Sequence, residues 1–194
     1  MASFNVDIGG VTVKTTVVKS ASMLDSYVSE LRALLSATGS RNPIIGLDVE
    51  WKPNSTAQRV SILQLCAGTR VLIIQLCYLN VIPQSLKNLI ADAGISFLGV
   101  GITEDIRKLS NDYGLGCSSA IELGPLASRV LRNPDYSNSG LAALASQVVG
   151  LNIEKSSSTV TCSNWANDPL TAEQIKYATI DAYASYLIGK KLLE

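Results

Sequence analysis

The stretch Ile44-Ile-Gly-Leu-Asp-Val-Glu-Trp51 (IIGLDVEW) decides the fold of this chain. Its unbroken apolar start is typical of a central strand that is buried on both faces. Residues two apart in a strand point to the same face, so Asp48 and Glu50 project together while Val49 points the other way. An acidic pair at a solvated strand end is common. In a buried strand an unpaired carboxylate is costly, so the pair predicts a cation beside it.

Two further β-rich runs follow this stretch. Residues 59–66 and 70–77 are rich in β-branched and apolar side chains, and the turn segments Pro53-Asn54-Ser55 and Gly68-Thr69 separate the three runs. Runs of this length joined by turn residues predict an antiparallel three-strand meander. After Pro83 the pattern alternates between helix and strand, as in an α/β layer. The sequence therefore predicts an α/β fold in which the meander continues into parallel strands of one mixed sheet, flanked by helices.

The remaining elements follow from periodicity and end signals. Residues 4–19 alternate between apolar and polar around Gly9-Gly10, which predicts a hairpin. Apolar residues at three- and four-residue spacing predict a helix over 22–35. Thr171 and Gln174 have the spacing of a capping box that begins the last helix. We also expect helices at 84–91, 104–111, 125–131 and 141–149, strands at 96–101 and 121–123, and a Ser/Thr-rich loop at 152–164.

Length and composition limit both the architecture and the chemistry. With 194 residues, 47% of them hydrophobic, the chain can bury one substantial core. We expect one domain over 1–194, with a hairpin and helix in 1–40 and the core in 43–194. The chain has no histidine, which excludes a Ser-His-Asp triad, a Cys-His dyad and an imidazole base. The cysteines are too far apart for zinc knuckles, and we interpret them as reduced thiols, mostly packed in the core: Cys66, Cys77, Cys117 and Cys162.

Charge and hydropathy indicate where the chain works. Lys and Arg total 16 against 16 Asp and Glu, without the basic excess of a long nucleic-acid-binding surface. The N-terminus lacks the pattern of a signal peptide, and no apolar run approaches the ~18 residues of a membrane span. We therefore expect no membrane contact and an intracellular location, the cytoplasm first and the nucleus as the alternative.

Two more acidic motifs lie far along the chain. Tyr177 and Asp181 are one helical turn apart and share a face, although such a pair is more often an ordinary surface feature. Asp105 stands at a predicted helix start, where capping and the helix dipole alone could explain it. The preceding Gly99-Val-Gly101 is not a dinucleotide-binding loop, because Glu104 stands where that motif needs its third glycine.

The acidic motifs gain meaning when they are combined. Asp48, Glu50, Asp105 and Asp181 could not all stay ionised in one pocket without strong positive compensation. A pair of divalent ions provides that compensation, and oxygen ligands suit Mg²⁺ or Mn²⁺. The pattern therefore predicts a site that binds two Mg²⁺ or Mn²⁺ ions and hydrolyses phosphodiesters.

Five motifs in order resemble those of a known family. They are Asp48-Val-Glu-Trp51, Val60-Ser-Ile-Leu-Gln-Leu65, Gly99-Val-Gly-Ile-Thr-Glu-Asp105, Cys162-Ser-Asn-Trp165 followed by Pro169-Leu-Thr171, and Tyr177-Ala-Thr-Ile-Asp181. This set resembles the DEDDy branch of the DnaQ-like 3′-to-5′ exonucleases, whose fold is ribonuclease-H-like. The resemblance covers about residues 43–190. It is greatest to the Werner-syndrome-type exonuclease domain and its small stand-alone plant members, such as the RISC-interacting clearing exoribonucleases.

The resemblance implies a role for each motif residue. Asp48, Glu50 and Asp181 would hold the catalytic metal, and Asp48 would also contact the second ion. Asp105 would hold that second ion, largely through water. Tyr177 would position and help activate the attacking water, a task that the sister branch gives to histidine. The catalytic core would then occupy residues 43–194.

Candidate substrate contacts are less specific. Trp51 and Trp165 adjoin motifs and could stack on a terminal base, although core packing is the more frequent fate of a tryptophan. Lys52 and Lys155 could contact phosphates, with scattered surface charge as the alternative. Residues 154–161 contain one basic residue, Lys155, which favours short single-stranded ends over duplex DNA.

The sequence thus predicts a metal-dependent 3′-to-5′ exonuclease that acts on single-stranded nucleic acid. Family resemblance favours RNA, and a single-stranded DNA exonuclease in repair is the first alternative. The second alternative is a catalytically silent member that binds RNA or serves as a scaffold. The resemblance further implies a homo-oligomer, with a six-membered ring as in some plant members, and a connection to Argonaute and other RISC components.

Overall fold

Seven strands in the described part of the chain form one sheet. The computed structural model describes residues 2–37, 39–51, 58–153 and 158–194. The strands are β1 (Ala2–Ile8), β2 (Val11–Val18), β3 (Ile44–Trp51), β4 (Val60–Ala67), β5 (Arg70–Ile74), β6 (Ser96–Gly99) and β7 (Ala120–Glu122). Their order in space is β1-β2-β5-β4-β3-β6-β7. Strand β3 therefore lies in the interior of the sheet, as its apolar start predicts.

The sheet is mixed, and the expected α/β fold is confirmed. Strands β3, β4 and β5 form the predicted antiparallel meander, and β6 and β7 continue it in parallel beyond β3. Strand β5 is shorter than predicted, because it ends at Ile74. The amide of Gln75 donates to Val18 O at 2.8 Å, and a 3₁₀ turn, Leu76–Tyr78, follows.

The N-terminal hairpin forms as predicted and belongs to the same sheet. Strands β1 and β2 pair antiparallel from Ala2 and Val17 to Ile8 and Val11. Gly9 and Gly10 make the turn at φ values of 60° and 80°, a conformation that favours glycine. Strand β2 pairs in parallel with β5, a connection that the sequence did not predict.

Seven helices of the described residues flank the sheet or its connections. They are α1 (Ala21–Ala37), α2 (Gln84–Ile90), α3 (Ile102–Tyr113), α4 (Leu123–Leu131), α5 (Leu141–Val149), α6 (Ser158–Thr161) and α7 (Ala172–Leu193). Helix α6 corrects the prediction of an uninterrupted loop over 152–164, within which residues 154–157 lie outside the described part. None of the described helices is both long enough and apolar enough to cross a bilayer.

The two faces of the sheet have separate apolar layers. On one face, Leu63 and Leu65 of β4 pack with buried residues of α1 such as Leu24. On the other face, Ile62 and Cys66 pack with residues of α7. Because side chains alternate along a strand, Gln64 of β4 lies on the α7 face.

The cysteines are free thiols, but they are mostly not core residues. Cys66 is buried and Cys117 is half-buried, whereas Cys77 and Cys162 are exposed. The prediction that most of them pack in the core is therefore wrong. No disulfide joins these residues, as the sequence predicts.

Helix α7 approaches the centre of the sheet unusually closely. A Cβ atom at Gly46 of β3 would lie 2.2 Å from the carbonyl oxygen of Ala182 and 2.5 Å from the amide nitrogen of Tyr186. Glycine at position 46 is therefore required for this packing. The result is that the residue before Ala182 in the helix, Asp181, is held against the middle of strand β3.

Candidate active site

Three carboxylates from two distant motifs meet on the α7 face of the sheet. One carboxylate oxygen from each of Asp48, Glu50 and Asp181 lies within 4.8 Å of the others. Asp48 and Glu50 point to the same side of β3, as the strand period predicts. Asp181 comes from α7 and is 8% exposed. The structure thus brings together three of the four predicted acids in one cluster.

Asp105 lies outside that group of three but acts on it electrostatically. Its charge raises the pKa of both Asp48 and Glu50. It stands in the first turn of α3 and is 7% exposed. Helix α3 begins after Gly101, which has φ of 77° and no side-chain cap. Asp105 is therefore a buried first-turn acid whose charge acts on the carboxylate cluster.

Burial raises the pKa of every acid in the site. It is the largest cause of the rise to about 8 for Glu50, to about 7 for Asp105 and to about 6 for Asp181. The pKa of Asp48 is raised well above its ordinary value by burial first and then by Asp181. Mutual repulsion among carboxylates thus adds to desolvation, and the site favours a positive guest.

Tyr177 lies one helical turn before Asp181 and shares a hydrogen bond with its side chain. That bond lowers the pKa of Asp181, while burial and the neighbouring carboxylates raise the pKa of the Tyr177 phenol strongly. The phenol is therefore neutral at physiological pH and offers its hydroxyl group for hydrogen bonding. The ring of Tyr177 packs against the ring of Trp165, with 5.8 Å between centroids.

The charge balance of the site fits divalent metal ions. Among the described residues, no ion pair to lysine or arginine involves Asp48, Glu50, Asp105 or Asp181. Lys108 is the one cation that lowers the pKa of Asp105. An oxygen-only set of buried ligands matches the preference of Mg²⁺ and Mn²⁺. The acidic cluster therefore fits a two-metal site.

Comparison with known proteins agrees with this geometry. A family model described as 3′-5′ exonuclease matches residues 16–194. The chain belongs to this 3′-5′ exonuclease family. The matched range spans the positions of all five motifs, and the predicted resemblance to 3′-5′ exonucleases is confirmed.

Relatives in this exonuclease family include much longer proteins. The chain is 34% identical over 171 residues to the mouse bifunctional 3′-5′ exonuclease/ATP-dependent helicase WRN, covering 86% of this chain and 12% of the relative. It is 31% identical over 180 residues to a 3′-5′ exonuclease of Arabidopsis thaliana, covering 90% and 62% respectively. The chain thus spans less than two thirds of these curated relatives.

Solved structures of other exonucleases have the same fold. Escherichia coli RNase D superposes with a TM-score of 0.77 at 23% identity, over 92% of this chain and 44% of that one. The EXD2 exonuclease domain soaked in Mn superposes with a TM-score of 0.55 at 30% identity, over 92% and 89% respectively. These likenesses confirm the predicted ribonuclease-H-like mixed sheet.

The predicted substrate contacts fare differently. Trp165 is 0% exposed, and its indole Nε1 donates to Thr161 O at 3.3 Å. The prediction that Trp165 stacks on a base is therefore wrong, because its ring faces are inside the core. Trp51 is half-buried, with Lys108 Nζ 4.5 Å from its ring centroid. Lys52 and Lys155 lie outside the described residues.

Sequence reasoning missed two polar residues beside the acids. Gln64 of β4 is directly opposite Asp48 and donates from Nε2 to Asp48 Oδ2 at 3.4 Å. Glu122 at the end of β7 accepts from the amide of Gly101 at 2.5 Å and raises the pKa of Asp105. A polar glutamine inside the apolar run of β4 was the available signal for Gln64. Glu122 had no comparable signal in the sequence.

Proposed function

We propose that this protein is a metal-dependent 3′-to-5′ exonuclease that releases nucleoside 5′-monophosphates from single-stranded nucleic acid, with RNA as the favoured substrate. The observation that carries this proposal is the cluster of Asp48, Glu50 and Asp181, whose oxygens lie within 4.8 Å of one another. Membership of the 3′-5′ exonuclease family supplies the reaction that such a cluster serves.

The acids divide between two ions in this proposal. Asp48, Glu50 and Asp181 would hold the first ion, and Asp48 would also contact the second, nearer to Asp105. The ions, when bound, would activate a water molecule and neutralise charge on the phosphate and on the leaving 3′ oxygen. Glu50 and Asp48 share a rigid strand, and Asp181 is fixed by the close packing of α7 on Gly46. These three carboxylates thereby keep their spacing without help from a flexible loop.

Tyr177 would orient the water that attacks the terminal phosphodiester. Burial and the neighbouring carboxylates raise the pKa of the phenol, and its hydroxyl group would act through hydrogen bonds. Its hydrogen bond to Asp181 and its packing on Trp165 fix the direction of the hydroxyl group. Trp165 is in this view a support for Tyr177.

The choice of RNA and of a single strand rests on the resemblance to small plant exoribonucleases and on the even charge of the chain. With 16 basic and 16 acidic residues, binding depends on a few local contacts near the metal site. Lys108 lowers the pKa of Asp105 and lies over the ring of Trp51, and these two side chains would contact a phosphate and a base. The EXD2 domain has been soaked with Mn and GMP and with Mn and dGMP, which favours neither sugar.

The wider setting follows the same resemblance. We propose a single exonuclease domain over 1–194, a homo-oligomer with a six-membered ring as the leading form, and action in the cytoplasm. A role in small-RNA turnover with Argonaute and other RISC components completes the proposal. Size-exclusion chromatography with light scattering measures the oligomer directly, and a monomer at micromolar concentration would contradict that part.

The catalytic proposal is tested on a 5′-labelled single-stranded RNA and the matching DNA in Mg²⁺ or Mn²⁺. We expect a ladder that shortens from the 3′ end, disappears in EDTA and is faster on RNA. Asp48→Ala should abolish the ladder. Asp135 is exposed and is not one of the four site carboxylates, so Asp135→Ala should leave the ladder unchanged. Faster cleavage of DNA would replace RNA as the substrate. No ladder on either polymer would contradict the proposal and favour a silent RNA-binding or scaffold protein.

A further inference from the structure

Gln64 is a buried polar residue in direct contact with the carboxylate cluster. It occupies the middle of β4, is 0% exposed and stands opposite Asp48 in the β3–β4 register. Its Nε2 donates to Asp48 Oδ2 at 3.4 Å, and the backbone at Val49 lowers the pKa of the same carboxyl group. The contact from Gln64 therefore reaches Asp48 across the β3–β4 pair.

The other half of the Gln64 amide has no partner. Among the buried side-chain oxygen and nitrogen atoms of the described residues, Gln64 Oε1 alone lacks a hydrogen-bond partner. Leaving a buried amide oxygen unpaired is unfavourable for folding. A leucine of similar size would fill the same space without that penalty, so fold stability does not explain the glutamine.

The other buried glutamines of the described chain behave differently. Gln75 donates from Nε2 to Asn167 O at 2.9 Å. Gln174 uses Oε1 to accept from the amide of Thr171 at 2.9 Å and Nε2 to donate to Ser163 Oγ at 2.9 Å. Both bind neighbouring chain segments together, which is a structural role. Gln64 instead makes its one hydrogen bond to a carboxylate of the site.

The orientation of the Gln64 amide suits an Asp48 that binds a metal ion. A carboxylate bound to a metal ion only accepts hydrogen bonds, and the amide presents its NH₂ group to Asp48. Reversing the amide would set two acceptors against each other. The unpaired Oε1 is therefore a consequence of the contact with Asp48.

We propose that Gln64 is a positioning residue that holds Asp48 in the orientation in which it binds metal, although it destabilises the fold. This inference rests on the proposed function and extends the site from the β3 and α7 carboxylates to strand β4. Hydrogen-bond partners that orient a metal ligand characteristically change metal affinity about 10- to 100-fold when removed.

The test replaces two buried glutamines in the same way. Gln64→Leu should unfold at the same or a higher temperature in EDTA, yet bind Mn²⁺ about 10- to 100-fold more weakly by isothermal titration calorimetry. Gln75→Leu, the matched control, should unfold at a lower temperature and bind Mn²⁺ as the parent does. At saturating Mn²⁺, Gln64→Leu should lower kcat, while RNA affinity measured in Ca²⁺ stays unchanged.

The outcomes separate this inference from the function on which it rests. A parent protein that binds no Mn²⁺ would contradict the proposed function itself. A parent that binds Mn²⁺ with Gln64→Leu of equal affinity would overturn the positioning role alone. Gln64→Met, whose side chain is flexible, serves as a second variant. If both variants unfold at a lower temperature with unchanged Mn²⁺ affinity, or if neither folds, Gln64 has a structural role.

Discussion

The start and the middle of helix α7 treat buried polar groups in opposite ways. At the start, Thr171 Oγ1 accepts from the amide of Gln174 at 3.1 Å, and Gln174 Oε1 accepts from the amide of Thr171 at 2.9 Å. Gln174 Nε2 donates to Asn164 O at 3.1 Å as well. The capping box predicted from the sequence is confirmed, and its polar side chains are paired within the chain.

The middle of the same helix lacks this balance. Asp181 faces two further carboxylates and shares one hydrogen bond with Tyr177. Burial raises its pKa to about 6. The comparison teaches that the fold is able to pair its buried polar groups and does so where only stability is at stake. The buried carboxylates without a basic partner are then explained by a bound cation.

The largest expected effect on exonuclease activity comes from removing a carboxylate of the metal site in the middle of α7. Asp181→Ala should reduce exonuclease activity by about 10²–10³-fold or more, the size typical of losing one group that stabilises charge in the transition state. The unfolding temperature in EDTA should stay equal or rise, because one source of repulsion is gone. Rates on labelled RNA and a thermal melt check both points, and full activity in a folded Asp181→Ala protein would contradict the assignment.

Substitution of Tyr177 should reduce activity by a smaller factor. Tyr177→Phe keeps the packing on Trp165 and removes the hydroxyl group, so we expect a loss in kcat of about 10²-fold. Mn²⁺ affinity should change little, because the carboxylates remain. Single-turnover rates at saturating Mn²⁺ measure the loss. An unchanged rate would remove Tyr177 from the positioning of water.

The pH dependence of stability sharpens the comparison. The pKa values of the site carboxyl groups are raised in the folded state, so the folded state binds more protons than the unfolded state between about pH 4 and pH 8. The upper limit is the pKa of Glu50, about 8. The free energy of unfolding in EDTA should therefore fall as the pH rises through this range.

A melt in EDTA should show an unfolding temperature about 4 °C or more lower at pH 8 than at pH 5, corresponding to about 1–2 kcal/mol in a chain of this size. Glu50→Gln, which removes the group with a pKa of about 8, should reduce that difference. Added Mg²⁺ should restore stability at pH 8. Equal melts at both pH values, with no effect of Mg²⁺, would mean that the acids are not under electrostatic stress.

The smallest expected effect comes from the capping box at the start of α7, and it concerns stability. Thr171→Ala removes the side-chain acceptor of the capping box and should cost about 1 kcal/mol of stability. Activity per folded molecule should be unchanged, because the site begins at Tyr177. A denaturant titration beside an activity assay measures both. A large loss of activity without a loss of stability would show that the two regions are coupled.

Sequence patterns predicted the local parts of this molecule well. The limits of β3 and α5, the hairpin turn at Gly9-Gly10 and the shared face of Asp48 and Glu50 all follow from short-range periodicity. The meeting of Asp48 with Asp181 came from combining motifs and from family resemblance. Periodicity alone does not bring residues so far apart in the chain together.

The missed features depend on long-range packing. The parallel pairing of β2 with β5 joins segments more than fifty residues apart and leaves no local signal. The burial of Trp165 depends on α7 covering it, and the contact of Gln64 with Asp48 depends on the register of β3 and β4. Each is set by the whole fold, so single-residue patterns could not reveal it.

The central claim is that the buried carboxylates are a two-metal site. Isothermal titration of the metal-free protein with Mn²⁺ at pH 7.5, in two buffers of different ionisation enthalpy, tests it most directly. We predict two ions per chain, with protons released on binding because the pKa of Glu50, about 8, lies above that pH. Absence of binding, or binding that persists unchanged in Asp48→Ala, would contradict the claim.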